Sequence, residues 1–285
     1  MKTISAYFSL VKFAHTIFGL PFAITGFIMG VKYMGAWPDI FVILATLLCL
    51  VFARNSAMAF NRWADRHFDK KNPRTSNREI PKGTISAKAT LIFTGINVLL
   101  FILSAYFVNF TCFVLSPLAI IIILGYSYTK RISWISHFIL GLGLMIAPVG
   151  AYMAVTSFLS VDVFFLGISV LFWVAGFDII YSLQDSDFDK DSKLFSIPSV
   201  FGTKKALLLS RLCHVLTALI LILWWILFHK DEYWTLCAIM FFILFVSRQH
   251  FILRNHNFSR INKVFFTSNG IASIIFCVFY LLILA

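Results

Sequence analysis

The chain has 285 residues, 60% apolar and only 13% charged, with 33 Phe and a net charge of +12. Soluble globular chains are about half apolar, so this composition excludes a soluble protein. It predicts an all-α polytopic membrane protein, a single domain over residues 1–285. The positive charge has a topological explanation, so no nucleic-acid partner is called for.

Apolar segments of near-spanning length, about 20 residues, fall near 13–31, 40–60, 86–106, 110–128, 134–156, 163–184, 205–228, 234–250 and 264–284. They predict nine transmembrane helices around a central cavity, with membrane lipid as the surrounding partner. The division between the third and fourth rests on Asn109. With the N-terminus inside, all but Lys32 and Lys230 of the 24 Lys and Arg fall on the inner side, the asymmetry of the positive-inside rule. The expected location is therefore the bacterial cytoplasmic (inner) membrane, with the N-terminus and active-site loops cytoplasmic and the C-terminus outside. The first apolar run is read as a retained span, since no small-residue cleavage site follows it. His15 within it is expected to be a structural histidine, and the five cysteines, each alone in a span, to be packing residues.

The second span leaves the membrane through Arg54 to Gly83, carrying Asn61, Asp65 and Asp69. If the helix continues, these three drift by about 40° per step and share one face. An amide and two carboxylates suit a hard cation such as Mg²⁺, which takes oxygen ligands and completes its shell with phosphate oxygens. Arg74 and Arg78 belong to the basic run that follows, and such a mixture suits a metal-bound polyphosphate. The competing reading is an interfacial loop whose charges merely pair, as Arg62 and Asp65 could.

The sixth span ends in a second acidic stretch, where Asp185 and Asp189 form an i, i+4 pair with Tyr181 one turn before. Asp187 and Asp191 fall on another face and are expected to be solvated. Both stretches end on the inner side, where they can face one another across a polyphosphate. Asp178 lies two turns before the pair, and an Asp within a span needs a polar cavity. Arg54 stands two turns deeper than Asn61, where a guanidinium is suited to clamp a substrate carboxylate, or else to pair with Asp178. Tyr126 and Lys130 close the fourth helix on the same side, where such residues serve as interfacial anchors, and Lys130 is also placed to reach a phosphate.

The run N-R-W-A-D-R-H-F-D from Asn61 to Asp69 resembles the first motif of the UbiA superfamily of intramembrane aromatic prenyltransferases. Y-S-L-Q-D-S-D-F-D from Tyr181 to Asp189 resembles its second motif, and N-P-R-T-S-N-R-E-I-P-K-G and Y-S-Y-T-K-R are similar to further family segments. The resemblance covers essentially the whole chain and implies the nine-helix fold, Mg²⁺ as cofactor, and a polyprenyl diphosphate and a small aromatic acceptor as substrates. It implies metal ligation by Asn61, Asp65, Asp69, Asp185 and Asp189, and substrate binding by Arg54, Asn61, Arg74, Arg78, Tyr126, Lys130 and Tyr181. Catalytic roles fall to Arg54, beside the acceptor carboxylate, and to Asp178 or Asp185, polarising its hydroxyl. Within the superfamily the 4-hydroxybenzoate polyprenyltransferase group of quinone biosynthesis, ubiquinone or menaquinone, is most similar. A group prenylating a futalosine-derived menaquinone precursor is the alternative. A CDP-alcohol phosphotransferase would need a D-G-x-x-A-R stretch that is missing here. A cation-coupled transporter would keep its carboxylates nearer the midplane.

Overall fold

The computed structural model describes residues 2–11, 16–253 and 261–284, and among them it is all-helical, without a strand. Twelve α-helices follow in chain order: α1 Lys2–Val11, α2 Thr16–Met34, α3 Ile40–Ala64, α4 Arg66–Lys71, α5 Ala87–Val108, α6 Phe110–Thr129, α7 Ser136–Thr156, α8 Val161–Ser182, α9 Ser186–Asp191, α10 Ile197–Phe228, α11 Tyr233–Ile252 and α12 Ile261–Leu281. His15 lies outside the described residues.

Among the described residues eight helices are long and apolar enough to cross a membrane. The ninth expected span corresponds to α2, whose Phe18–Met34 stretch is apolar but shorter. A backbone inside lipid must satisfy its own polar groups, which leaves helices as the economical solution. Outward faces carry large exposed apolar side chains such as Leu99, Ile121 and Leu219, as a lipid-facing surface requires.

Local chemistry sets the helix ends. Asn109 breaks the apolar run with an extended backbone, and its side-chain oxygen accepts from Cys112 N–H to cap α6. Its amide nitrogen also donates to Met153 O at 2.8 Å, tying the break to α7. Ser86, Ser160 and Ser196 cap α5, α8 and α10. The seventh span was expected from residue 205. Instead α10 begins at Ile197, and Gly202, with φ 78°, bends the chain before the long apolar stretch; only glycine adopts that conformation without strain.

The main core lies among α2, α8, α10, α11 and α12, where Phe22, Trp173, Trp224, Phe242 and Phe276 are fully buried. α1 precedes the first expected span, 13–31, and is a helix that the apolar-span count does not include. It rests Ala6 and Leu10 on Ala59 of α3 and on Ile85. α3, α6, α7, α8 and α12 surround a cavity of about 680 Å³ that opens at the end of the bundle where α3 and α8 finish.

Candidate active site

The first motif does not continue as one helix. α3 ends at Ala64, and Asp65, with φ −86° and ψ 2°, joins it to α4. The hydrogen-bond ladder nonetheless runs on, Asp65 N–H to Asn61 O at 2.9 Å and Asp69 N–H to Asp65 O at 2.8 Å. Asn61, Asp65 and Asp69 therefore keep one face, and all three line the cavity. In the second motif a 3-10 turn, Leu183–Asp185, follows α8 and leads into α9. Asp185 and Asp189 both line the same cavity, so the two motifs do face one another. Asp187 and Asp191 are exposed, as expected.

Three of the four motif carboxylates, Asp65, Asp69 and Asp185, are each held by a cation. Asp65 receives Lys130 Nζ at 2.5 Å and Arg131 Nη2 at 3.3 Å, which replaces the Arg62 pairing considered from sequence. Arg78 Nη1 binds Asp69 Oδ1 at 2.7 Å, while Asp69 Oδ2 is buried without a hydrogen-bond partner. Arg74 grips Asp185 with two nitrogens, Nε to Oδ1 at 2.8 Å and Nη2 to Oδ2, and Asn72 Nδ2 adds a third bond at 2.9 Å. Burial alone would lower the pKa of Arg74, but the hydrogen bonds and charge of Asp185 overcome it and raise the value. Its Nη1 also donates to Tyr181 Oη at 3.3 Å, and the guanidinium sits 5.5 Å from that ring's centre.

Among the described residues no three His, Cys, Asp or Glu side chains converge as a ready metal cage. The donor set still fits Mg²⁺ with diphosphate. Five oxygen-bearing side chains ring one cavity, and Asp69 Oδ2 is a buried acceptor awaiting a cation. Mg²⁺ usually keeps waters and substrate oxygens in its shell, so it needs only a few protein ligands. Lys130, Arg74 and Arg78, now on carboxylates, are the groups a diphosphate would draw.

Asp178, on α8, also lines the cavity, and it pairs with His137 Nδ1 at 2.7 Å and not with Arg54 as sequence allowed. The buried His137 accepts from Ile197 N–H at Nε2, 3.2 Å. A backbone N–H can only donate, so the imidazole proton is on Nδ1 and points at Asp178. Arg54 and Tyr126 line the cavity, and Arg54 Nη2 reaches Val11 O at 3.5 Å. The sequence reading missed His137, Asn72 and the buried Arg62, which line the same cavity. Arg62 stands inside the first motif and Asn72 opens the N-P-R-T run, so both had a local signal, whereas His137 had only its place on the inner side. Deeper, the wall is apolar, with Phe18, Leu140, Leu144, Phe177, Phe265 and Phe266.

Known proteins share this fold. The structure resembles the apo form of a UbiA homolog from Aeropyrum pernix K1, with TM-score 0.84, 27% identity, and coverage of 95% of this chain and 98% of that one. A UbiA homolog from Archaeoglobus fulgidus, solved bound to DMAPP and Mg²⁺, shares the fold at TM-score 0.73 and 18% identity, over 94% of this chain and 98% of that one. A 4-hydroxybenzoate octaprenyltransferase of Aliivibrio fischeri (strain MJ11) is 27% identical over 240 residues, 84% of this chain and 83% of that protein. A model of the UbiA prenyltransferase family matches residues 19–271, so this multi-pass membrane protein is a prenyl-transferring enzyme and belongs to that family.

Proposed function

We propose that the chain transfers a polyprenyl group from an allylic diphosphate to a ring carbon of an aromatic acid of the 4-hydroxybenzoate type. The single observation carrying this reading is the shared cavity, with two acidic motifs and their cations at its mouth and an aromatic wall beneath. The names of the curated relatives support the acceptor class. The DMAPP and Mg²⁺ bound to the Archaeoglobus homolog support the donor and the metal.

Asn61, Asp65, Asp69, Asp185 and Asp189 would hold Mg²⁺, which when bound supplies positive charge to the leaving diphosphate. Lys130, Arg74 and Arg78 then release their carboxylates and bind phosphate oxygens, so the allylic C–O bond ionises against a fixed cationic field. Phe177, Phe265 and their apolar neighbours line the tail and keep water from the allylic cation. Arg54 binds the acceptor carboxylate. Asp178, oriented by His137, accepts a hydrogen bond from the phenolic hydroxyl and raises the electron density of the ring carbon that attacks the allylic cation, and the released diphosphate then takes the proton that this carbon loses. Asp185, with Arg74 and Asn72 on it, suits the diphosphate end better than the acceptor. The basic inner loops support a cytoplasmic site in a bacterial inner membrane, serving quinone biosynthesis.

The test offers purified protein a labelled geranyl diphosphate with a panel of aromatic acids, with Mg²⁺ or with EDTA. Label should pass to 4-hydroxybenzoate only with the metal. Transfer to none of the acids, or equal transfer in EDTA, overturns the reading.

A further inference from the structure

Away from the active site, a cleft of about 290 Å³ lies between α10 and α11. Its lining is graded. Arg211 on α10 and Ser247 and His250 on α11 form one end, and one to two turns along come Val215, Ala218 and Ile243. α10 begins beside the active site, where Ile197 N–H meets His137, so the polar end lies on the active-site side of the membrane. At about 1.5 Å per residue, Arg211 stands about 25 Å from the Phe228 end of α10, and a hydrocarbon core is about 30 Å thick. The guanidinium is therefore near headgroup depth, with the apolar end nearer the midplane. Arg211 is exposed and has no hydrogen-bond or ion-pair partner among the described residues.

The imidazoles of the cleft are fixed from behind. His214 Nε2 lies 3.2 Å from the Trp173 carbonyl, which can only accept, so Nε2 carries the proton and Nδ1 is an acceptor. Nδ1 lies 2.6 Å from His250 Nε2, which must donate to it. Gln249 contacts the same Nδ1 at 3.4 Å and bonds onward to Asn269, which receives Trp173 Nε1–H at 3.0 Å. His214 packs so closely on Gly176 that any Cβ there would collide with its ring, and Ser210 Oγ donates to Gly176 O at 2.7 Å. The back of the cleft is thus one hydrogen-bonded unit with α8, two residues before Asp178.

A cation at headgroup depth without a partner, a hydroxyl further along the same lining, and an apolar slot running toward the midplane match one ligand shape. We propose that this cleft binds an anionic phospholipid of the active-site leaflet. Its phosphate sits between Arg211 and Ser247, and an acyl chain lies along Val215, Ala218 and Ile243. The guanidinium supplies a planar donor pair to the phosphate, and occupancy braces α10 and α11 against the helix that carries Asp178. The site does not depend on which aromatic acceptor the enzyme takes.

The test reconstitutes the protein in phosphatidylcholine vesicles with increasing phosphatidylglycerol and follows the thermal unfolding midpoint. The wild type should gain stability in a saturable way. Arg211→Gln should need at least tenfold more phosphatidylglycerol for the same gain, Arg211→Lys should lie between, and the double change Lys204→Gln and Lys205→Gln, on exposed residues of the same helix, should respond as the wild type. An Arg211→Gln response equal to the wild type overturns the site. So does an equal loss in the lysine variant, which would reduce the effect to general surface charge. Equal stabilisation of detergent-solubilised protein by glycerol phosphate would point to a soluble anion and overturn the lipid assignment. The unfolding midpoint of Arg211→Gln in pure phosphatidylcholine serves as its folding check.

Discussion

His137 and Asp178 meet at 2.7 Å although 41 residues separate them, and that contact sets the first expectation. Removing the imidazole leaves the carboxylate free to turn, so His137→Ala should lower kcat more than it raises either KM. Asn, able to donate one N–H near the same place, should recover part of the loss. A variant with unchanged kcat would show that His137 does not position Asp178. Arg54→Ala addresses the acceptor. Losing a charge-assisted hydrogen bond costs about 1.5–3 kcal/mol, roughly ten- to a hundredfold in affinity. The acceptor KM should rise by that factor with the diphosphate KM nearly unchanged, and the opposite pattern would assign Arg54 to the phosphate site. The acidic motifs were legible because Asn61, Asp65, Asp69, Asp185 and Asp189 repeat at helical spacing within short windows. Their partners were not, because Arg74 and Asp185 lie 111 residues apart, and local spacing carries no information on such pairs.

At the level of elements, the apolar runs gave away most helices, since a span needs about 20 apolar residues. α1 escaped because its 10 residues are too few to register as a span. Asn109 was a legible break because an Asn has no lipid-facing reason to sit in such a run. Asn109→Ala removes the α6 cap and the bond to Met153 O, and should cost about 1–2 kcal/mol, read as a lower unfolding midpoint in detergent. At the opposite end from the active site, His229 joins α8, α10 and α11 by bonding Asp162 at 3.1 Å and Glu232 at 3.0 Å. Lys32 of α2 pairs with Glu232, and the Tyr280 ring of α12 lies beside the imidazole. Burial opposes the charge of His229, but Asp162 and Glu232 outweigh it and raise its pKa. A raised folded value means stability that is complete below the unfolded value, about 6.5, and lost as pH rises through the folded one. The unfolding midpoint should therefore fall with rising pH above neutrality in the wild type, and His229→Gln should flatten that slope.

For the whole molecule, the helices serve to bring two distant acidic ends to one cavity mouth above an aromatic wall. Membrane class and the resemblance to the family were readable from composition and motif. The cleft between α10 and α11 was not, because Arg211 and His250 become neighbours only when two helices pack. The central claim is that both motifs form one metal-dependent diphosphate site. Calorimetric titration of an unreactive geranyl thiolodiphosphate, with and without Mg²⁺, into the wild type, Asp65→Ala and Asp185→Ala tests it directly. Binding should require Mg²⁺ in the wild type and weaken at least tenfold in each variant, with both variants still folded. Wild-type affinity in either variant, or tight binding without Mg²⁺, would contradict a site shared between the two motifs.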